Sequence, residues 1–219
     1  MTDFWTPVKL SLGVASFSLL IVFILGIAAA KFMANRTFKG RSVIDTVLLL
    51  PLVLPPSVVG FLLIVIFGRH SFIGQMVQFI TGQPIIFTVT AAVIAATVVA
   101  FPLMYQATLA GFETINKDIE NAARVDGAGE LKVFGLITMP LASKAIISGG
   151  ILSFARALGE FGATLMFAGN LPGRTQTIPT AIYMAMDSGN MTLAWQWVIV
   201  ILFISFGMLM MVNFLKSKY

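Results

Sequence analysis

The chain has 219 residues, 58% of them hydrophobic and only 11% charged, with a formal net charge of +5. Soluble domains carry about 25% charged residues, so this composition excludes an ordinary soluble protein and describes an integral membrane protein. With no cysteine and a single histidine, His70, disulfides, thiolate sites and a zinc cluster are excluded, and neither metal nor cofactor is expected.

A hydrocarbon core of about 30 Å takes roughly 20 apolar residues as helix. Five stretches reach that length, at about 8–30, 43–67, 85–111, 143–168 and 193–215, in one domain spanning 1–219. The expected fold class is therefore all-α integral membrane, with five transmembrane helices and a polar loop at about 112–140. In the first stretch, Ala28-Ala29-Ala30 resembles a signal-peptide cleavage site. Its apolar run exceeds the roughly 7–15 residues of a signal core and its positive charges follow rather than precede it, so a retained span is expected.

The second stretch reads LPLVLPPSVVG, with Pro51, Pro55, Pro56, Ser57 and Gly60. Prolines remove backbone donors and bend helices, which membranes tolerate where protein or a cavity re-satisfies the backbone. One reading is a bent helix lining a pathway, with Ser57 presenting its hydroxyl; the other is a packing kink. In the third stretch Ala91, Ala92, Ala95, Ala96 and Ala100 permit close helix packing.

The segment Glu113–Pro140 is the one densely charged part of the chain, with Glu113, Lys117, Asp118, Glu120, Arg124, Asp126, Glu130 and Lys132. Ile115, Ile119, Ala122 and Ala123 form a narrow apolar stripe at helical spacing. Asn116 is the expected N-cap, Asp118 and Glu120 suit the first turn, and Gly127 and Gly129 offer a stop. A second short helix is expected over about 130–136, with Pro140 restarting the chain into the next span.

The fourth stretch contains SFARALGEFGATLMFAGN. Arg156 and Glu160 are four apart and are expected to share a helix face, either lending positive potential to an anion pathway or fastening helices as a neutralised pair. Gly159 and Gly162 allow close approach at a moving interface. In the following loop, Arg174, Thr175 and Thr177 are candidates for contact with a docking partner or a passing oxyanion. The run 178–186 is apolar enough for a short gate helix, and Trp195 and Trp197 are expected as anchors at the outer interface.

Orientation follows from lysine and arginine in the loops. Lys31, Arg36, Lys39, Arg41, Lys117, Arg124, Lys132, Lys144, Lys216 and Lys218 fall on one side, against Lys9, Arg69 and Arg174 on the other. The N-terminus is expected outside, with the C-terminus and the charged loop inside. No further domain is expected after Tyr219.

Asn121-Ala122-Ala123, Gly127 and Ile137-Thr138-Met139-Pro140 together resemble the EAA loop of ABC importer permeases. Asn121 stands where that pattern has Glu, and Met139 where it has Leu. Glu120 lies one place early, turned about 100° round the helix. LPLVLPPSVVG, SFARALGEFGATLMFAGN and LPGRTQTIPTAIY are similar to stretches of molybdate-type ABC importer permeases, with sulfate/thiosulfate and tungstate permeases as relatives. The resemblance implies a type I ABC importer permease fold and a homodimer with one pathway at its interface. Two cytoplasmic ATPase subunits and a periplasmic or lipid-anchored oxyanion-binding protein are the implied partners, besides membrane lipid; nucleic acid is not. The implied location is the cytoplasmic (inner) membrane of a bacterium or archaeon.

By the same resemblance, Lys117, Ile119, Glu120, Asn121, Ala122, Ala123, Asp126, Gly127 and Pro140 serve coupling to the ATPase. The chain itself holds no GxxxxGK[ST] and no nucleophile–base–orienter set, so it is not expected to be an enzyme. An ATP-independent secondary transporter or channel is the alternative of another class, and a purely structural anchor a third.

Overall fold

The computed structural model describes residues 4–217, with side chains described through Phe214. Every regular element among them is helical. Three helices are long and apolar enough to cross a bilayer alone: α1 (Trp5–Met33), α5 (Val89–Glu113) and α12 (Met191–Ser217). Two bent pairs raise the possible number of crossings to five. Of the tail cations used for orientation, Lys218 and the side chain of Lys216 lie outside the described residues.

Helix α5 is the centre of the core. Its Ala91, Ala92, Ala95, Ala96 and Ala100 are all buried, and small side chains let neighbouring backbones come close. A Cβ on Gly26 of α1 would fall 2.7 Å from Met104 Cγ, and one on Gly149 of α9 (Ser143–Leu158) 2.8 Å from Ala107 Cβ. Ser18 and Ser153 donate to the Val93 and Ala100 carbonyls at 3.1 and 3.3 Å, adding polar bonds between the packed helices.

The second expected span is two helices, α2 (Arg41–Val53) and α3 (Pro56–Phe67), meeting at 115°. Leu54 and Pro55 are extended between them, with ψ of 141° and 135°. A residue before proline is pushed out of the helical region, and two successive prolines impose that twice. Pro56 opens α3, where a missing N–H costs nothing. Between α3 and α5, α4 (Phe72–Thr81) is capped by Ser71.

The fourth expected span is also interrupted. After α9 ends at Leu158, residues 159–161 leave the helix before α10 (Gly162–Phe167) begins. Arg156 and Glu160 therefore do not share one helix face, contrary to the expectation from their spacing: Glu160 lies beyond the helix end, in the break.

The polar loop folds as α6 (Lys117–Val125), then α7 (Glu130–Val133), a π-helical turn over Phe134–Thr138 and α8 (Met139–Leu141). The run from Glu130 to Leu141 bends by 71° into α9. The wide turn comes immediately before Pro140, whose missing N–H and ring do not fit a regular helical ladder.

Helix α11 (Ile178–Asp187) buries Ile178, Ala181 and Ala185 against α1 and α12. Trp197 belongs to this cluster. It is only 3% exposed, stacks on Phe4 at 6.0 Å and donates its indole N–H to the Phe4 carbonyl at 3.1 Å. Trp197 is thus a packing residue, whereas Trp195 is exposed.

Candidate functional site

Two groups of the predicted residues are brought together, and they lie in different parts of the molecule. The first is α6 and the segment after it. Asn116 Oδ1 accepts from the Asp118 N–H at 2.9 Å, satisfying a donor at the helix start. At the other end Gly127 has φ of +88°, the left-handed conformation that glycine adopts without penalty. The Ala128 N–H then bonds to the Ala123 carbonyl and the Gly127 N–H to that of Arg124, a Schellman closure.

Helix α6 buries none of its residues. It is held to the segment behind it by polar side chains. Thr138 donates to Glu120 Oε1 at 2.6 Å. Arg124 makes a forked contact, Nε to Glu130 Oε1 at 2.7 Å and Nη2 to Oε2 at 3.2 Å, while Nη1 donates to Asn121 Oδ1 at 3.0 Å. The hydrogen bond from Arg124 holds the Glu130 carboxyl below its ordinary range, and Glu130 in turn raises Arg124. Glu120 thus faces its own chain, and Asn121 is exposed on the outer side.

Behind α6 lies a cleft of about 220 Å³, bordered by Lys31, Arg36, Glu120, Arg124, Glu130 and Thr138. Lys31 Nζ sits 3.6 Å over the Phe134 ring, so the end of α1 supports the loop. Around α6, Lys117, Ala122, Asp126 and Gly127 are exposed, as is Pro140, while Ala123 is half-buried. Large apolar side chains also stand free: Ile119, Val125, Leu131 and Leu136, the last three at 87%, 83% and 74% exposure. Only Ile119 was among the sequence candidates. Val125, Leu131 and Leu136 were discoverable as apolar residues set among charges.

The second group joins both helix breaks. A Cβ on Gly162 would lie 2.9 Å from Pro56 Cβ, and one on Gly60 would lie 2.7 Å from Met166 Cβ and 3.0 Å from Ala163 Cα. Glycine at both places lets α3 and α10 touch through their backbones. Pro56 and the Ser57 backbone thereby meet Gly162, while Gly60 meets Ala163 and Met166. Pro51 lies within α2, Ser57 is exposed, and Gly159 is the residue at which α9 stops.

Glu160 is 2% exposed. Its Oε2 accepts from Arg156 Nη1 at 2.7 Å, and its Oε1 accepts from the Ala163 N–H at 2.7 Å. One carboxylate therefore ties the end of α9 to the beginning of α10. Both oxygens being occupied, this pair fastens the break.

The third group does not form a surface. Arg174 is exposed, but Thr175 and Thr177 are buried, at 2% and 5%. Thr175 Oγ1 accepts from the Leu171 N–H at 3.0 Å, and Thr177 Oγ1 lies 3.3 Å from Thr180 Oγ1. These hydroxyls shape the loop leading into α11 and are not available to a docking partner. Asp45, an acid inside the second expected span, was missed. It accepts from the buried Tyr105 hydroxyl at 2.6 Å, and an acid in an apolar run was the signal that pointed to it.

The family described as "Binding-protein-dependent transport system inner membrane component" matches residues 22–219. The chain is 58% identical to YvgM of Bacillus subtilis (strain 168), provisionally named a molybdenum transport system permease protein, over 99% of this chain and 95% of that one. It is 48% identical to the molybdenum transport system permease protein ModB of Escherichia coli (strain K12), over 82% of this chain and 78% of that one. Among solved structures, the MetNI methionine ABC transporter in inward facing conformations matches with a TM-score of 0.75 at 14% identity, covering 100% of both chains.

Proposed function

Since the chain belongs to the family of binding-protein-dependent transport system inner membrane components, we propose that it is the membrane permease subunit of an ABC importer that carries molybdate inward. The observation that carries this reading is the α6 region. A charged, capped helix stands outside the apolar bundle with Ile119, Val125 and Leu131 unburied around it. Exposed apolar side chains rimmed by charge suit a protein partner, and an ATPase subunit is the partner that turns such a helix into a lever.

Two copies of the chain form one pathway, each bound to a cytoplasmic ATPase, and an external binding protein delivers the oxyanion. The N-terminus lies outside and the charged loop inside, across the cytoplasmic membrane. The chain is not itself catalytic. Closure of the ATPases on ATP moves α6, and the rigid helices behind it carry the motion to the meeting point of α3 and α10. There the Pro55–Pro56 bend and the Gly162 contact permit one backbone to shift against the other. The molybdenum names of the two relatives support molybdate over sulfate, thiosulfate or tungstate.

The test is gentle detergent extraction of the tagged chain co-expressed with its ATPase and binding protein, followed by reconstitution into liposomes. The expected result is stoichiometric recovery of the ATPase and ATP-dependent molybdate uptake. An ATPase-free oligomer that moves molybdate without ATP overturns the reading in favour of a secondary transporter or channel. Competition by sulfate and tungstate sets the order of substrates.

A further inference from the structure

Helix α2 is attached to the molecule in an unusual way. It buries no residue outright, and Val43, Val47 and Val53 on its flanks are exposed. Leu48 and Leu49 pack against the core only in part. The specific attachments are polar and both go to α5. Tyr105, fully buried, donates its hydroxyl to Asp45 Oδ1 at 2.6 Å. Arg41 Nη2 donates to Glu113 Oε1 at 2.7 Å. Arg41 and Asp45 are one turn apart on α2, while Tyr105 and Glu113 lie about two turns apart on α5.

The positions of these four residues matter more than their number. Glu113 is the last residue of α5, and α6 begins at Lys117. At its far end α2 runs into the 115° bend and then α3, which meets α10 at Gly60 and Gly162. Helix α2 is thus the arm of the bent span that runs from the loop end of the molecule to the 115° bend. A leucine in place of Asp45 would serve adhesion alone, at no desolvation cost. An acid within an apolar span is expensive unless a partner compensates it, and here the Tyr105 hydroxyl does so.

We propose that Asp45 and Tyr105 are positioning residues for transport: their hydrogen bond makes α2 move with α5, so that displacement of the coupling loop reaches the bent span. This rests on the importer reading above. Arg41 and Glu113 form the outer, weaker member of the same latch, being half exposed to solvent.

The test uses the reconstituted complex of permease, ATPase and binding protein, and reads molybdate accumulated per ATP hydrolysed. Tyr105→Phe removes one oxygen and leaves the ring stacked on Phe101. We expect the ratio to fall roughly tenfold, the scale of one charge-assisted hydrogen bond, with ATPase recovery and basal hydrolysis unchanged. Asp45→Asn keeps the accepting oxygen and should hold the ratio within about twofold of the wild type, whereas Asp45→Leu should match Tyr105→Phe. A wild-type ratio in Tyr105→Phe overturns the inference, as does an Asp45→Asn variant no better than Asp45→Leu. Failure of the importer reading shows separately, as wild-type chain without ATPase or ATP-dependent uptake.

Where Tyr105→Phe does not assemble, tethering carries the test, because the chain has no cysteine of its own. In an Arg41→Cys/Glu113→Cys/Asp45→Leu variant, a short bifunctional thiol reagent should restore the ratio. Equal ratios with and without the tether overturn the proposal.

Discussion

Thr138 and Glu120 are 18 positions apart in sequence and 2.6 Å apart in space, hydroxyl to carboxylate. The bond crosses from the π-helical turn, where the chain enters α8 and α9, to the first turn of α6. Glu120 lies one place before the position that the EAA pattern gives to its glutamate. In this chain the carboxylate at 120 is turned inward and braces the loop, leaving the neutral Asn121 on the outer side beside Arg124.

Replacing Thr138 with Val keeps the shape and removes the donor. The half-buried carboxylate then loses its hydrogen-bond donor and keeps only Arg124, 3.8 Å away, which costs about 1–2 kcal/mol locally. Amide exchange over 117–138 should quicken while exchange in α5 stays as it was. Unchanged protection of the loop would show that the bond does not brace it.

Gly127 has open space around its Cα but a φ of +88°. The cost of substitution is therefore in the backbone alone. Gly127→Asn, a residue that tolerates this region, should lose less ATPase on purification than Gly127→Val, for which the penalty is about 1–2 kcal/mol. Equal recovery from both variants would remove the Schellman closure from the account.

The Arg124–Glu130 contact carries a pH dependence. The hydrogen bond from Arg124 lowers the Glu130 carboxyl below its ordinary 4.5. A depressed carboxyl contributes stability that is fully present above the ordinary value and is lost as pH falls through the lower, folded one. The stability difference between wild type and Glu130→Gln should therefore be present at neutral pH and vanish on strong acidification. High salt should shrink it as well, since both groups are exposed. A difference independent of pH and salt would contradict the ion-pair origin.

Where α3 meets α10, Gly60→Val inserts side-chain atoms where Ala163 Cα lies 3.0 Å from a Cβ position. Backbone is not a neighbour that yields easily. Separating α3 from α10 should cost about 1–3 kcal/mol and abolish uptake, while recovery of the ATPase persists because α6 is remote from the contact. Normal uptake by this variant would mean that the two helices need not meet.

Local chemistry made α6 legible: Asn116, the early acids and Gly127 act within one or two turns of where they stand. The apolar lengths of α1, α5 and α12 were readable for the same reason. The bend at Pro55 was readable as an interruption, though not as 115°, because that angle depends on what α3 packs against. Arg156 and Glu160 show where spacing misleads. A separation of four brings side chains together in a continuous helix, and these two meet across a helix end, where Glu160 also caps the next segment. Thr175, Thr177 and Trp197 were read as surface residues from their polarity or membrane preference. Thr175 is held within its own loop by Leu171, and Thr177 and Trp197 adjoin the packing of α11 on α1 and α12, a contact between residues about 170 positions apart, such as Ser11 and Ile178.

Helix α6 has nine residues and no buried side chain. A peptide of that length would be mostly unfolded in water, because nucleating a helix outweighs what so few turns return. Here the ends are capped and Glu120 and Arg124 are clasped from behind, so the helix is already formed before anything binds it. Ordering a residue costs about 1–2 kcal/mol, and a partner meeting this loop is spared most of that cost. Association is then governed by how often two finished surfaces meet, and less by how long a floppy segment takes to settle.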